Sequence, residues 1–135
     1  MKFLFSIFLL LSLSGCTICQ TEISNMNTDK QQIAPVAHQV YFWLKNPDSK
    51  EDQQKLIEGI KTLAAIPQVK GLHIGVPAST EKRDVVDNTY AASELLFFAT
   101  VEDEQAYQVH PIHQAFIKNY NHLWSKVVVY DSIAK

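Results

Sequence analysis

Glycine and cysteine are scarce in this chain, and each shortage argues against a kind of chemistry. The four glycines, Gly15, Gly59, Gly71 and Gly75, form neither a G-x-G-x-x-G fingerprint nor a P-loop. The backbone cradle that holds nucleotide phosphates therefore has no signature here. No Gly-x-Ser-x-Gly elbow occurs either, which argues against a serine hydrolase. The two cysteines, Cys16 and Cys19, both precede the stretch that can build a core, so the folded region has no thiol for a disulfide or a metal. A basic excess is missing too. The formal net charge is −2, which argues against nucleic acid as a partner. Beyond the first residues no apolar run approaches the roughly 18 residues that cross a bilayer.

What is present begins with an address. Lys2 precedes Phe3 to Leu13, a run that is apolar apart from Ser6 and Ser12, and Leu13-Ser14-Gly15-Cys16 closes it. A short apolar run after a lysine, ending in small residues, is a secretory signal rather than a transmembrane helix. Leu-Ser-Gly-Cys resembles the lipobox of bacterial lipoproteins. That resemblance implies a signal peptide over residues 1–15, cleavage before Cys16 and lipid on its sulfur. Thr17 rather than Asp after the cysteine implies, in a Gram-negative cell, the periplasmic face of the outer membrane. Several acyl chains anchor stably where one alone does not. Residues 16–35 are polar with isolated apolar side chains and read as a lipidated, flexible tether. Its typical reach is roughly 25 Å. With Cys16 lipidated, Cys19 has no partner within the chain.

Residues 36–135 form the domain. Ala37 to Lys45 reads as a first strand, with Tyr41, Phe42 and Trp43 at its centre. Both of its parities are apolar, so both faces should be covered. A helix follows, capped by Asp48 or Ser49, with Leu56, Ile57, Ile60, Leu63 and Ala64 on one stripe up to Pro67. Val69 to Val76 and Tyr90 to Val101 read as the second and third strands, with Glu94 at the start of the third. The polar loop between them, Ala78 to Asn88, is the expected cover of any pocket. Thr100 or Asp103 can cap the next helix, and Lys126 to Ile133 is a fourth strand. The order β-α-β-β-α-β predicts an α+β, ferredoxin-like fold with one four-stranded antiparallel sheet and its helices on one face. The bare apolar face left by that arrangement predicts a homodimer, two sheets packed into a barrel.

The densest chemistry lies in Tyr107-Gln108-Val109-His110-Pro111-Ile112-His113-Gln114-Ala115-Phe116. Pro111 cannot continue an incoming helix, so one helix should stop near Val109 or His110 and another begin at Pro111. Ile112, Phe116 and Tyr120 recur at helical spacing, widened by Ile117 and Leu123, and His113 lies at the edge of that stripe. A histidine can move a proton near neutral pH, and a tyrosine hydroxyl can steady an oxyanion. His113 as general base, with Tyr107 and His38 around a bound carbonyl, is one reading. The other makes His38 and His113 core residues that hydrogen-bond each other or the backbone. His110 in the bend, Phe116 on the stripe and Trp43 on the first strand are candidate binding residues for a small apolar or carbonyl ligand. No metal is expected, because the proline breaks the His110-x-x-His113 geometry and no carboxylate is near in sequence. No cofactor is expected either.

Ala37 to Ile133 resembles the stress-responsive A/B barrel (Dabb) domain. The resemblance rests on Ala37-His38-Gln39-Val40, on Tyr107-x-x-His110-Pro111-x-His113-x-x-Phe116, and on Leu123-Trp124 before a strand ending Val-Tyr-Asp. It implies a dimeric α+β barrel. One kind of member, the plant olivetolic acid cyclase, closes a polyketide ring without metal or organic cofactor. Its tyrosine and histidines fall on the motif positions of Tyr107, His113 and His38. Two functions follow as expectations: a homodimeric small-molecule-binding or stress-related module, or a cofactor-independent enzyme doing proton-transfer or aldol-type chemistry on a carbonyl substrate.

Overall fold

Alternation decides how the first strand sits. In the structure, a computed structural model that describes residues 34–135, Val36–Leu44 forms β1, and its even-numbered residues are buried while the odd ones are half-exposed. The signal run, Cys16, Cys19 and the tether as far as residue 33 lie outside the described residues. The remaining elements are α1 (Lys50–Lys61), β2 (Gly71–Gly75), β3 (Ala92–Phe98), α2 (Val101–Gln108), α3 (Pro111–Tyr120) and β4 (Trp124–Ile133). The sheet order is β2-β3-β1-β4, with every neighbouring pair antiparallel. This is the expected ferredoxin-like α+β arrangement. No helix among the described residues is long and apolar enough to cross a membrane.

Local chemistry sets the helix ends. Ser49 caps α1 by accepting from the amide of Asp52 at 3.1 Å, and Thr100 caps α2 by accepting from Asp103 at 3.1 Å. After Lys61 the helix tightens into a 3₁₀ turn, Thr62–Ala65. At three residues per turn, positions three apart share a face. Leu63 and Ile66 are therefore the buried pair, and Ala64, expected on the stripe, is exposed.

The core lies between the even-numbered face of β1 and the helices. It joins Val40, Phe42 and Leu44 to Leu56, Ile60, Leu96, Phe98, Tyr107 and Phe116. Gly59 lets α1 and α3 meet closely, because a Cβ there would stand 2.7 Å from the Tyr120 ring. The buried side of α3 holds His113 and Phe116, while Ile117 is exposed. The apolar stripe is thus turned toward His113, which occupies a core position rather than an edge.

β4 is an edge strand that the helices do not cover. Val127 and Val129 pair with Phe42 and Val40 on the helix side, yet they are 37 % and 45 % exposed. The opposite sheet face carries Tyr41, Trp43, Leu95, Phe97, Val128 and Tyr130. The loop before β3 packs there: Thr89 accepts from the Trp43 indole at 2.8 Å, and Tyr90 stacks edge-on against Tyr41.

Candidate functional site

A broken helix builds the site. In a continuous helix the Gln108 carbonyl would accept from the amide of Ile112. Pro111 has no N–H and starts a new helix instead, and the Ile112 amide donates to Nδ1 of His110 at 3.2 Å. The Gln108 carbonyl is left over. His113 Nδ1 donates to it at 3.0 Å and Gln114 Nε2 at 2.6 Å. A carbonyl only accepts, so His113 carries its proton on Nδ1 and presents a bare Nε2. Burial pushes the His113 pKa down from its ordinary value, with nearby His38 adding to the effect and the Gln108 bond opposing it.

His38 is fixed from the sheet. It is paired directly with Asp131 across β1 and β4, and its Nδ1 donates to the Asp131 carboxylate at 2.6 Å. Glu104 on α2 stands 3.8 Å from the same nitrogen. Tyr107 joins the two histidines, with ring centroids 5.8 Å from His38 and 4.4 Å from His113. It is fully buried, and its hydroxyl has no hydrogen-bond partner among the described residues. Burial, and then the charges of Glu94 and Glu104, raise the Tyr107 pKa far above the usual phenol value. Its hydroxyl keeps its proton and can serve only as a donor or a weak acceptor.

A cavity of about 220 Å³ opens beside this cluster. His38, Glu94, Gln108 and His113 supply its polar lining, and Val40, Phe42, Phe116 and Trp124 its apolar wall. Ile117, Val127 and Val129, all partly exposed, form its mouth along the β4 edge.

The fold brings His38, Tyr107 and His113 together, and Phe116 lines the same cavity. It does not bring Trp43 there. Trp43 has odd parity on β1 and lies on the other sheet face, beside a separate hollow with Tyr41, Asp87, Tyr90 and Tyr130. His110 is also outside the cavity lining, with its Nδ1 engaged as the cap of α3. The Ala78 to Asn88 loop contributes no residue to this cavity.

Three acidic groups are additions that the sequence did not single out. Glu94 sits in the middle of the helix-facing side of β3, 3 % exposed, with Oε2 unpartnered among the described residues. Burial lifts its carboxyl to about 8. Asp131 and Glu104 complete a cluster with His38 in which the ligand-capable atoms lie within 4.8 Å of one another. That donor set suits a divalent cation in kind, although His38 already commits Nδ1 to Asp131. Glu94 shares a side of β3 with the buried Leu96 and Phe98, but Leu95 and Phe97 make the other parity just as apolar, so the sequence carried no signal for it.

The fold has relatives among known proteins. The profile of the Stress responsive A/B Barrel Domain (Dabb) matches residues 36–134. An Arabidopsis thaliana protein of solved structure is 25% identical, with a TM-score of 0.62 over 75% of this chain and 96% of its own. The hydroxynitrile lyase of Passiflora edulis is 23% identical, with a TM-score of 0.63 over 74% of this chain and 93% of its own. A dimeric Bacteroides fragilis protein with a ferredoxin-like fold is 19% identical, with a TM-score of 0.56 over 74% of this chain and 96% of its own. No curated protein sequence gives a significant match. Since the match runs from the opening of β1 almost to the last residue, the chain belongs to the stress-responsive A/B barrel (Dabb) family.

Proposed function

We propose that the domain is a homodimeric binding module for a small, uncharged, largely apolar carbonyl compound, held on a bacterial membrane through lipid on Cys16. One observation carries the binding reading: a cavity with apolar walls whose polar lining includes His113, with its bare Nε2, and Glu94, whose buried Oε2 has no partner among the described residues. Buried polar atoms are normally satisfied, and leaving one unmet costs about 1–3 kcal/mol. A ligand that meets them recovers that cost. The volume of about 220 Å³ is below the roughly 300–1,000 Å³ of drug-sized sites, which favours a small metabolite. The half-exposed aromatic face of the sheet supports self-association, and the Bacteroides fragilis relative of the same fold is itself dimeric. The Leu13-Ser14-Gly15-Cys16 motif supports the anchor.

A second reading is favoured by the His113 tautomer. Nε2 can take a proton from the carbon beside a bound carbonyl, leaving an enolate whose oxygen needs a donor nearby. Hydroxynitrile lyase activity belongs to the Passiflora edulis protein, and its likeness to this chain is one of fold.

Native mass spectrometry of the full chain after incubation with a metabolite extract tests the main reading. The expected result is a dimer retaining a small carbonyl compound, with retention lost in His113→Ala. A monomer at micromolar concentration would remove the homodimer, and an empty protein across several extracts would remove the binding role. Labelled palmitate should enter the wild type and not Cys16→Ala. For the second reading, deuterium should exchange into the retained ligand beside its carbonyl faster than in buffer, and His113→Gln should abolish that gain.

A further inference from the structure

We propose that Glu94 is the polar anchor of the cavity's ligand, an uncharged carboxyl group that donates a hydrogen bond to the ligand's carbonyl oxygen. The proposal rests on the binding reading above and names the group that selects the ligand.

Its position makes the case. Glu94 pairs directly with Val40 on β1 and Ile74 on β2, so its flanking neighbours on the helix-facing side of the sheet are apolar. It is buried and lines the cavity. Among the described residues no Lys, Arg or His pairs with it, and Oε2 has no hydrogen-bond partner. A carboxylate in such a place would carry an uncompensated buried charge, so the group keeps its proton instead. The upward pKa shift from burial agrees with this geometry.

A neutral carboxyl differs in kind from the rest of the site. His113 offers a lone pair at Nε2, and His38 and Asp131 satisfy each other. The Tyr107 hydroxyl, the other unpartnered proton near the cluster, belongs to a side chain that is fully buried and outside the cavity lining. Among the lining side chains with a proton to donate, Gln108 already gives its amide to Glu104 at 2.6 Å and the Trp124 indole is only partly buried, so Glu94 is the fully buried one left without a partner among the described residues. A ligand with a carbonyl oxygen satisfies it. A pure hydrocarbon leaves it unmet, and an anionic ligand enters an apolar cavity at the cost of its own desolvation.

The test compares two probes of nearly the same shape on the full chain. Acetophenone carries the carbonyl, and α-methylstyrene replaces its oxygen with a CH2 group. Wild type should bind acetophenone more tightly, and Glu94→Leu should reduce that preference about five- to tenfold, the worth of one hydrogen bond. Glu94→Gln, which restores a donor, should recover part of it. With acetophenone labelled at the carbonyl carbon, the bound 13C resonance should lie downfield of its free position in the wild type, and Glu94→Leu should remove that displacement. Binding of both probes with an unchanged preference and unchanged resonance in Glu94→Leu would overturn the role of Glu94 and leave the cavity reading standing. Failure of the wild type to bind either probe would overturn both. Glu94→Leu places an apolar side chain on an apolar wall and Glu94→Gln is nearly isosteric, so loss of folding in one leaves the other as the test.

Discussion

Two buried residues of the site give the protein opposite responses to pH. Glu94 ionises at its ordinary 4.5 in the unfolded chain and near 8 when folded. Between those values the folded state holds the extra proton, so stability falls as pH rises, by up to about 1.4 kcal/mol per unit. Above about 8 that loss is complete. His113 acts the other way. Its folded pKa lies below the ordinary 6.5, so the unfolded chain takes up a proton first and stability falls as pH drops below 6.5. Thermal denaturation between pH 5 and 8 should show a smaller decline in melting temperature for Glu94→Gln than for the wild type. Parallel declines would remove Glu94 as the cause. His113, Tyr107 and His38 were legible in the sequence because motif and helix break marked them. Glu94 was not, because Leu95 and Phe97 are as apolar as Leu96 and Phe98. Nothing local says which parity of β3 the helices cover. Trp43 fell to the other face for the same reason, on a first strand apolar in both parities.

At the scale of elements, the break at Pro111 creates the acceptor that orients His113, and close packing of α1 on α3 holds the second half of that broken helix in place. Gly59→Ala tests that packing. Alanine favours a helix by about 1 kcal/mol, but here its Cβ would meet the Tyr120 ring at 2.7 Å. Overpacking costs about 1–3 kcal/mol, so the expected net effect is a loss of roughly 1 kcal/mol in urea denaturation. Tyr120→Leu in the same chain should recover much of it, and a stabilised Gly59→Ala would show that α3 yields freely. Thr100→Ala should cost about 1 kcal/mol through the lost cap of α2, read in the same way. Strand and helix order, both caps and the helix break were legible because they depend on neighbours in sequence. The 3₁₀ turn that buried Ile66 in place of Ala64 was not, since the residues from Leu63 to Ile66 fit α-helical and 3₁₀ spacing equally well in sequence.

Over the whole molecule, the sheet has two working sides. One holds the cavity, and the other presents Tyr41, Trp43, Leu95, Phe97, Val128 and Tyr130, of which Tyr130 is 62 % exposed. Phe97→Glu should turn the proposed dimer into a monomer in sedimentation equilibrium while leaving probe binding within about twofold. An unchanged mass would move the interface elsewhere. The alternation of β1 ties these sides together. Val36, His38, Val40 and Phe42 serve one, and Ala37, Gln39, Tyr41 and Trp43 the other. A shift of one residue in its pairing exchanges the two sets. Substitutions along this strand can therefore alter the cavity and the opposite sheet face separately, each in its own alternate positions. A single inserted or deleted codon would send glutamine and tyrosine into the cavity and histidine to the opposite face, spoiling both in one event.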